Sequence, residues 1–122
     1  MNWTEARVDS LIRELVEENP IAVRPVLRIL ERRFTSVVPT LAVTLEDRPV
    51  LCINQAFLDA HCQTDVDVKA LLLHEFLHVV LGHTMRFREM TRIENVALDA
   101  VINAMIYRMC GVSYTNVFFR YY

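Results

Sequence analysis

Two histidines and a glutamate lie together in the segment HEFLH at positions 74–78. On an α-helix, His74 and His78 are about one turn apart, so their imidazoles project from the same face at about 40° to each other. Two imidazoles in that arrangement can bind one zinc ion at about 2.0–2.1 Å. Glu75 is rotated by about 100° from His74, which leaves its carboxylate beside the metal. The spacing is the one that metal-assisted hydrolysis requires from a single helix.

The segment contains a base, Glu75, in addition to the two histidine ligands. Zinc lowers the pKa of a bound water to about 7. Glu75 is the predicted general base, which takes a proton from the zinc-activated water and passes it to the leaving amine. The predicted function is therefore hydrolysis of a peptide bond in a protein or peptide substrate. The alternative is a metal-binding regulatory or interaction module without catalysis, which has no need of Glu75.

The structural interpretation of the two histidines is that they are ordinary core residues, bonded to backbone groups or to water. They stand in a strongly apolar run between Leu71 and Leu81. Burial of two imidazoles and a carboxylate in such a run is unfavourable unless a shared partner uses them. Three of the four histidines of the chain also fall within ten residues. The metal site is the favoured interpretation.

Catalytic zinc sites usually have three protein ligands. His83 is the nearest candidate in sequence, and it lies nine residues after His74. That separation places it on the opposite face of a straight helix. It becomes a ligand only if the chain bends at Gly82.

A polar set further along the chain offers a better third ligand. Asn95, Asp99 and Asn103 are spaced four residues apart and share one helix face. In gluzincins the third ligand is a Glu on a later helix, and an acid one turn further on orients the first histidine. By that correspondence Asp99 is the predicted third zinc ligand, and Asn103 is the predicted group that holds a ligand imidazole. Glu94 is the fallback ligand, and a solvent-facing polar stripe is the structural alternative.

Two long helices are predicted to carry these residues. Thr64 or Asp65 begins the first, which runs from about residue 66 to beyond 81. The second covers about 90–109 and ends at Gly111. Its helical spacing predicts a buried face made of Ile93, Val96, Ala97, Ala100, Val101, Ala104 and Met105.

The first half of the chain is predicted to contain two helices and a pair of strands. Thr4 caps a helix that ends at Asn19-Pro20, and a second helix covers about 22–34. Residues 41–45 and 50–53 are rich in β-branched and apolar residues and predict two antiparallel strands, followed by a short helix or turn around 56–59. Strand 50–53 is the predicted sheet edge for an extended substrate.

Composition limits the classes of partner. The net charge of −2 and the pI near 6.1 argue against a nucleic-acid or membrane-surface partner. Three cysteines without a CxxC pair favour a reducing compartment, and no apolar run approaches the roughly 20 residues of a membrane span. We therefore expect a cytoplasmic protein. The aromatic tail at 112–122 either packs back on the domain or forms an interface with a partner protein or a second copy.

The motif residues, taken together, resemble a known family. The run LLLHEFLHVVLGH at 71–83 and the pattern Asn-x-Ala-x-Asp-x-x-Ile-Asn at 95–103 are similar to a predicted metallopeptidase domain of bacteria and phages, often joined to a von Willebrand A-like domain. The lead-in LCINQAF at 51–57 extends the similarity to about residues 40–108. The resemblance implies a zincin-like fold in which His74, His78 and Asp99 bind zinc and Glu75 is the base.

The expected architecture is therefore one α+β domain over residues 1–122, mostly helical and zincin-like. A small antiparallel or mixed sheet precedes the motif helix, and zinc lies between the last two long helices.

Overall fold

A computed structural model describes residues 3–22, 31–44, 49–81 and 92–121. The fold is α+β, mostly helical, with one small mixed sheet. In chain order, the elements are α1 (Glu5–Glu18), a 3-10 turn (Pro20–Ala22), β1 (Glu31–Phe34), β2 (Leu41–Thr44), β3 (Val50–Ile53), α2 (Gln55–His61), α3 (Asp65–Val80), α4 (Arg92–Cys110), a second 3-10 turn (Val112–Thr115) and α5 (Asn116–Tyr121). Within the described ranges, no helix has the length and apolar character that a membrane crossing requires.

Helix α1 forms as its sequence predicts and covers one side of α3. The hydroxyl of Thr4 accepts a hydrogen bond from the Arg7 backbone N–H at 3.1 Å, which caps the first turn. The helix ends before Pro20, and its buried residues are Val8, Leu11, Ile12 and Leu15. This face packs on α3 and supplies a large part of the core.

The sheet has the strand order β1-β3-β2. Strands β2 and β3 are antiparallel, with Leu41 opposite Ile53, which confirms the predicted pair. The prediction that β3 is an edge strand is wrong, because β3 lies between the other two described strands and all four of its residues are buried. A short strand without a polar residue is typical of a position that is covered on both faces.

Strand β1 corrects the predicted helix at 22–34. Residues 31–34 pair in parallel with β3, Glu31 being opposite Val50 and Phe34 opposite Ile53. The remaining part of that prediction, residues 23–30, lies outside the described residues. Strand formation here depends on hydrogen bonds to a strand that is distant in sequence, and local helical spacing carries no information about such a partner.

Helix α3 is the centre of the molecule. It contacts α1, β2 and α4, and from Asp67 to Leu77 every residue except Glu75 is buried. A helix that is apolar nearly all round is expected to be surrounded by other elements. Its start is fixed by a capping box, in which the Thr64 hydroxyl accepts from the Asp67 N–H at 3.3 Å and the Asp67 carboxylate accepts from the Thr64 N–H at 3.3 Å. The predicted helix therefore begins with Thr64 as its cap. The prediction that it continues beyond residue 81 is wrong, because the helix ends at Val80 and Leu81 is its C-cap.

Helix α4 has the predicted extent but turns a different face to the core. Ile102 and Ile106 are fully buried, whereas Val96 and Val101 are 62% and 52% exposed. Ala97, Ala100 and Ala104 are also exposed, so the predicted buried face is wrong for these five residues. Met105 is half-buried against the core, and the side chain of Ile93 lies outside the described residues. Apolar residues occur on both sides of this helix, and their spacing alone therefore cannot select the inner one.

The described part of the C-terminal tail packs back on the domain. Gly111 ends α4 with φ +90°, a conformation that L side chains rarely adopt. The chain then places Tyr114, Thr115, Val117 and Phe118 in buried positions against α3 and its neighbours. The side chains of 119–122 lie outside the described residues.

We predict that Thr64→Ala lowers the free energy of unfolding by about 1 kcal/mol, because the capped N–H of Asp67 loses its acceptor. Thr64→Ser keeps the hydroxyl and is the matched control, with an expected loss of about a few tenths of a kcal/mol. Urea denaturation of the three proteins measures both values. Equal losses in the two variants would show that the cap does not hold the start of α3.

Candidate metal centre

Three ligand atoms from α3 and α4 converge on one point. The Nε2 atom of His74 lies 3.1 Å from Oδ1 of Asp99, and the Nε2 atom of His78 lies 3.0 Å from the same oxygen. The two Nε2 atoms are 3.2 Å apart. Ligands that bind one ion tetrahedrally at about 2.0–2.1 Å are about 3.3 Å from one another. The spacing of the three atoms therefore fits a single small metal ion.

The hydrogen bond of the other imidazole nitrogen determines which atom of His74 faces this point. Nδ1 of His74 is 2.9 Å from the amide oxygen of Asn103, which only accepts, so Nδ1–H is the donor. A neutral His74 then has a lone pair on Nε2, and this lone pair points at a carboxylate oxygen and at a second imidazole nitrogen. The Nε2 lone pair of His74 and the Asp99 oxygen lie 3.1 Å apart and repel unless a cation or a proton lies between them. The donor set thus fits a metal ion, and a proton takes its place when the metal is absent.

The shifted pKa values of His74 and Asp99 also indicate that this site favours positive charge. Burial by itself lowers the pKa of His74, but the hydrogen bond to Asp99, the charges of Glu75 and Asp99, and the bond to Asn103 raise it above its ordinary 6.5. Burial raises the pKa of Asp99, but the hydrogen bonds and charges of the two imidazoles outweigh it and hold that pKa well below its ordinary 3.8.

Glu75 lies beside the ligand atoms without joining them. Among the described residues, the group of converging metal-binding atoms comes from His74, His78 and Asp99. Burial raises the pKa of Glu75 above its ordinary 4.5, the two nearby imidazoles lower it in part, and Asp99 raises it. A carboxylate with a raised pKa holds a proton more readily near neutral pH, which suits a general base.

The fold explains why these side chains meet. His74 and His78 lie one turn apart on α3, and Asp99 and Asn103 lie one turn apart on α4. Ile102 and Ile106 are fully buried where α4 packs on α3, and this packing turns Asp99 and Asn103 towards the histidines. Asp99 and Asn103 are thus on the side of α4 that faces α3, so these two residues do not form a solvent-facing stripe. The side chain of Asn95, the third member of the predicted set, lies outside the described residues.

Three of the remaining candidates fall outside the part of the chain that the structure describes, namely His83, Arg86 and the side chain of Glu94. From the sequence, Arg86, Tyr107 and Tyr114 are equal candidates for the group that would stabilise a developing oxyanion. Tyr107 is 53% exposed, and the Tyr114 hydroxyl donates to Oε2 of Glu18 at 3.4 Å.

One residue beside the centre was not predicted. The ring of Phe118 lies against the His74 imidazole, with ring centroids 5.5 Å apart. It belongs to the aromatic tail, which has no clear helical or strand periodicity, so no local pattern indicates which aromatic side chain reaches the site.

Comparisons of the chain with protein-family models, with curated proteins and with solved structures found no match. The metal centre is therefore inferred from the geometry of its own residues.

We predict that the metal-free protein loses stability as the pH rises from about 5.5 to about 8. The pKa of His74 is raised above 6.5, so the stability from its protonated form is complete below 6.5 and is lost as the pH rises through the raised value. The raised pKa of Glu75 also lowers the stability as the pH rises above 4.5. The lowered pKa of Asp99 contributes stability above pH 3.8, and this contribution stays constant between the two pH values compared.

Chemical denaturation in the presence of a chelator, at both pH values, measures this dependence. Asp99→Asn is the control, because it removes the carboxylate that raises the pKa of His74 and should make the dependence flatter. Added zinc should act in the opposite sense and stabilise the protein more at the higher pH, since metal ligands bind in their deprotonated form. Equal pH dependence in the unmutated protein and in Asp99→Asn would contradict the assigned electrostatics.

Proposed function

We propose that this protein is a zinc-dependent, metallopeptidase-like hydrolase that cleaves peptide bonds. His74, His78 and Asp99 hold the zinc, Glu75 is the general base, and Asn103 orients His74. The observation that carries the proposal is the meeting of three ligand atoms at distances of 3.0–3.2 Å beside a carboxylate that remains outside the ligand set. A purely structural metal site has no need of such a base.

The donor set supports zinc as the metal. Two imidazole nitrogens and one carboxylate oxygen are the ligand types of catalytic zinc sites, which keep one position open. A bound zinc ion supplies Lewis acidity towards a substrate carbonyl and lowers the pKa of water. Nδ1–H of His74 donates to Asn103 and keeps Nε2 available as a ligand, as in other metal-binding histidines.

Glu75 performs the proton transfers in this proposal. Its carboxylate accepts a proton from the attacking water and then gives it to the nitrogen of the leaving amine. Burial, which raises the pKa of Glu75, makes the first transfer more favourable than it is for an exposed glutamate. The adjacent imidazoles and Asp99 remain ligands throughout.

A zincin-like arrangement would bind the substrate as an added strand, and β2 is now the better strand for it. Strand β3 is central, and the edge strand β1 presents the exposed side chains of Glu31, Arg32 and Arg33. Strand β2 is the other edge and contacts α3, the helix that carries the motif. An extended peptide paired with β2 would gain backbone hydrogen bonds next to that helix. A cytoplasmic location stays part of the proposal, because three cysteines without a CxxC pair favour a reducing compartment.

The zinc content of purified variants tests the ligand set. The unmutated chain, reconstituted with zinc and dialysed, should contain about one zinc ion per chain. His78→Ala and Asp99→Ala should lose it, and Glu75→Gln should keep it. His61→Ala is the matched control, since this histidine lies on α2 and is not in the converging group.

Two outcomes of that experiment would change the assignment. An unmutated chain without zinc would refute the metal site. Zinc retained by Asp99→Ala and lost by His83→Ala would transfer the role of third ligand to His83.

Activity of the zinc-loaded chain tests the base. Glu75→Gln should lower peptide hydrolysis by about 10²–10⁴-fold while the zinc content is unchanged. In the unmutated protein, kcat/KM should fall as the pH drops through the pKa of Glu75 in the zinc-loaded chain, because the protonated carboxyl cannot accept a proton. A mixture of unstructured peptides, analysed by mass spectrometry, is a suitable substrate. A zinc-loaded chain that cleaves none of them would favour the non-catalytic metal-binding module.

A further inference from the structure

We infer that the C-terminal segment 111–118 is an integral part of the proposed metal centre and that Phe118 is a positioning residue for the His74 imidazole. This inference rests on the proposed function, since it assigns a role at the same site.

The imidazole of His74 is contacted from three directions. Asn103 accepts from Nδ1–H at 2.9 Å, the His78 ring lies with its centroid 4.9 Å away, and the Phe118 ring lies 5.5 Å away at an angle of 46°. Both rings of the last contact are nearly inaccessible, His74 being 3% exposed and Phe118 5%. An imidazole held by a hydrogen bond and by two rings keeps one orientation, and in this orientation Nε2 points at Asp99.

The segment that carries Phe118 is itself fixed in place. Gly111 donates its N–H to the carbonyl of Tyr107 at 2.9 Å, and its positive φ lets the chain leave α4. The Tyr114 hydroxyl donates to Glu18 on α1, and burial raises the pKa of Tyr114 to about 12, so that it remains a neutral donor. Val117, next to Phe118, is fully buried.

An ion pair connects this anchor to the motif helix. Lys69 of α3 lies 2.5 Å from Oε1 of Glu18, and the Tyr114 hydroxyl contacts the other oxygen of the same carboxylate. Glu18, at the end of α1, thereby contacts both α3 and the C-terminal segment. Its partner on α3, Lys69, precedes His74 on the same helix by between one and two turns. The position of Phe118 is therefore tied to the helix that carries the ligands.

The chemistry of the phenyl ring defines its role. It has no lone pair to give to a metal and no proton to transfer, so Phe118 is not a catalytic residue. Its ring excludes water from one side of His74 and opposes rotation of the imidazole. Groups that orient a ligand in this way typically change metal affinity by about 10–100-fold when they are removed.

The test compares Phe118→Ala with Val117→Ala, a truncation of the neighbouring buried residue in the same helix, and with Phe118→Leu. Chelator competition measures the zinc affinity of each full-length variant, and the visible absorption of the cobalt-loaded protein reports the geometry of the ligands. Phe118→Ala should bind zinc about 10–100-fold more weakly and have an altered cobalt spectrum. Val117→Ala should stay within about 3-fold, and Phe118→Leu should recover most of the affinity because it still covers the imidazole.

A second readout needs no metal. Nitrogen-15 NMR of the metal-free protein at alkaline pH, where the His74 imidazole is neutral, should show a single His74 tautomer, protonated at Nδ1, in the unmutated chain and in Val117→Ala, and a mixture in Phe118→Ala. If Phe118→Ala matches Val117→Ala in zinc affinity and in tautomer, the positioning role is refuted while the proposed function stands. If the unmutated chain binds no zinc, the proposed function fails, and the tautomer comparison alone decides whether Phe118 positions His74.

Discussion

The hydrogen bond from Nδ1 of His74 to the amide oxygen of Asn103 determines what the rest of the site can do. With Nδ1 as the donor, the free lone pair is on Nε2, and the packing of α4 on α3 directs it at the Asp99 carboxylate. This arrangement is unfavourable without a cation and favourable with one. The same hydrogen bond therefore makes the site favour a positive charge. It also fixes the orientation of the His74 imidazole, whose Nε2 atom would bind a cation. An aspartate at position 103 would add negative charge, whereas the amide orients the ring and leaves the net charge to Asp99 and Glu75.

The location of the centre in the core has an energetic consequence. Helix α3 is buried nearly all round, and it places two imidazoles and a carboxylate among leucines and phenylalanine. In the metal-free protein, charge on these groups is poorly solvated. Burial therefore raises the pKa of Glu75 and by itself lowers that of His74, whose pKa is raised overall only because Asp99, Glu75 and Asn103 favour its charged form. A metal ion would satisfy the ligand atoms directly, so that part of its binding free energy would appear as stability of the fold.

Polar residues that interrupt an apolar helix at a regular interval are the most informative feature of this sequence. Asp99 and Asn103 stand one turn apart in an otherwise apolar stretch, and the structure brings both to His74. Apolar residues were a weaker guide, because α4 has valines and alanines on the face opposite Ile102 and periodicity alone cannot choose between two apolar faces. Strand β1 and the contact of Phe118 with His74 depend on partners far away in sequence, and no local pattern encodes such contacts.

The side chains of the three proposed ligands differ in their exposure to solvent. The side chain of His74 is 4% exposed, that of His78 is 16% exposed and that of Asp99 is 39% exposed. Asn103 and Phe118 both contact the imidazole of His74, which is the least exposed of the three. Within the described residues, the more accessible side of the proposed centre is therefore that of His78 and Asp99. In the proposed site, His74 would be the ligand held most firmly by the protein, and Asp99 would be the ligand most open to solvent.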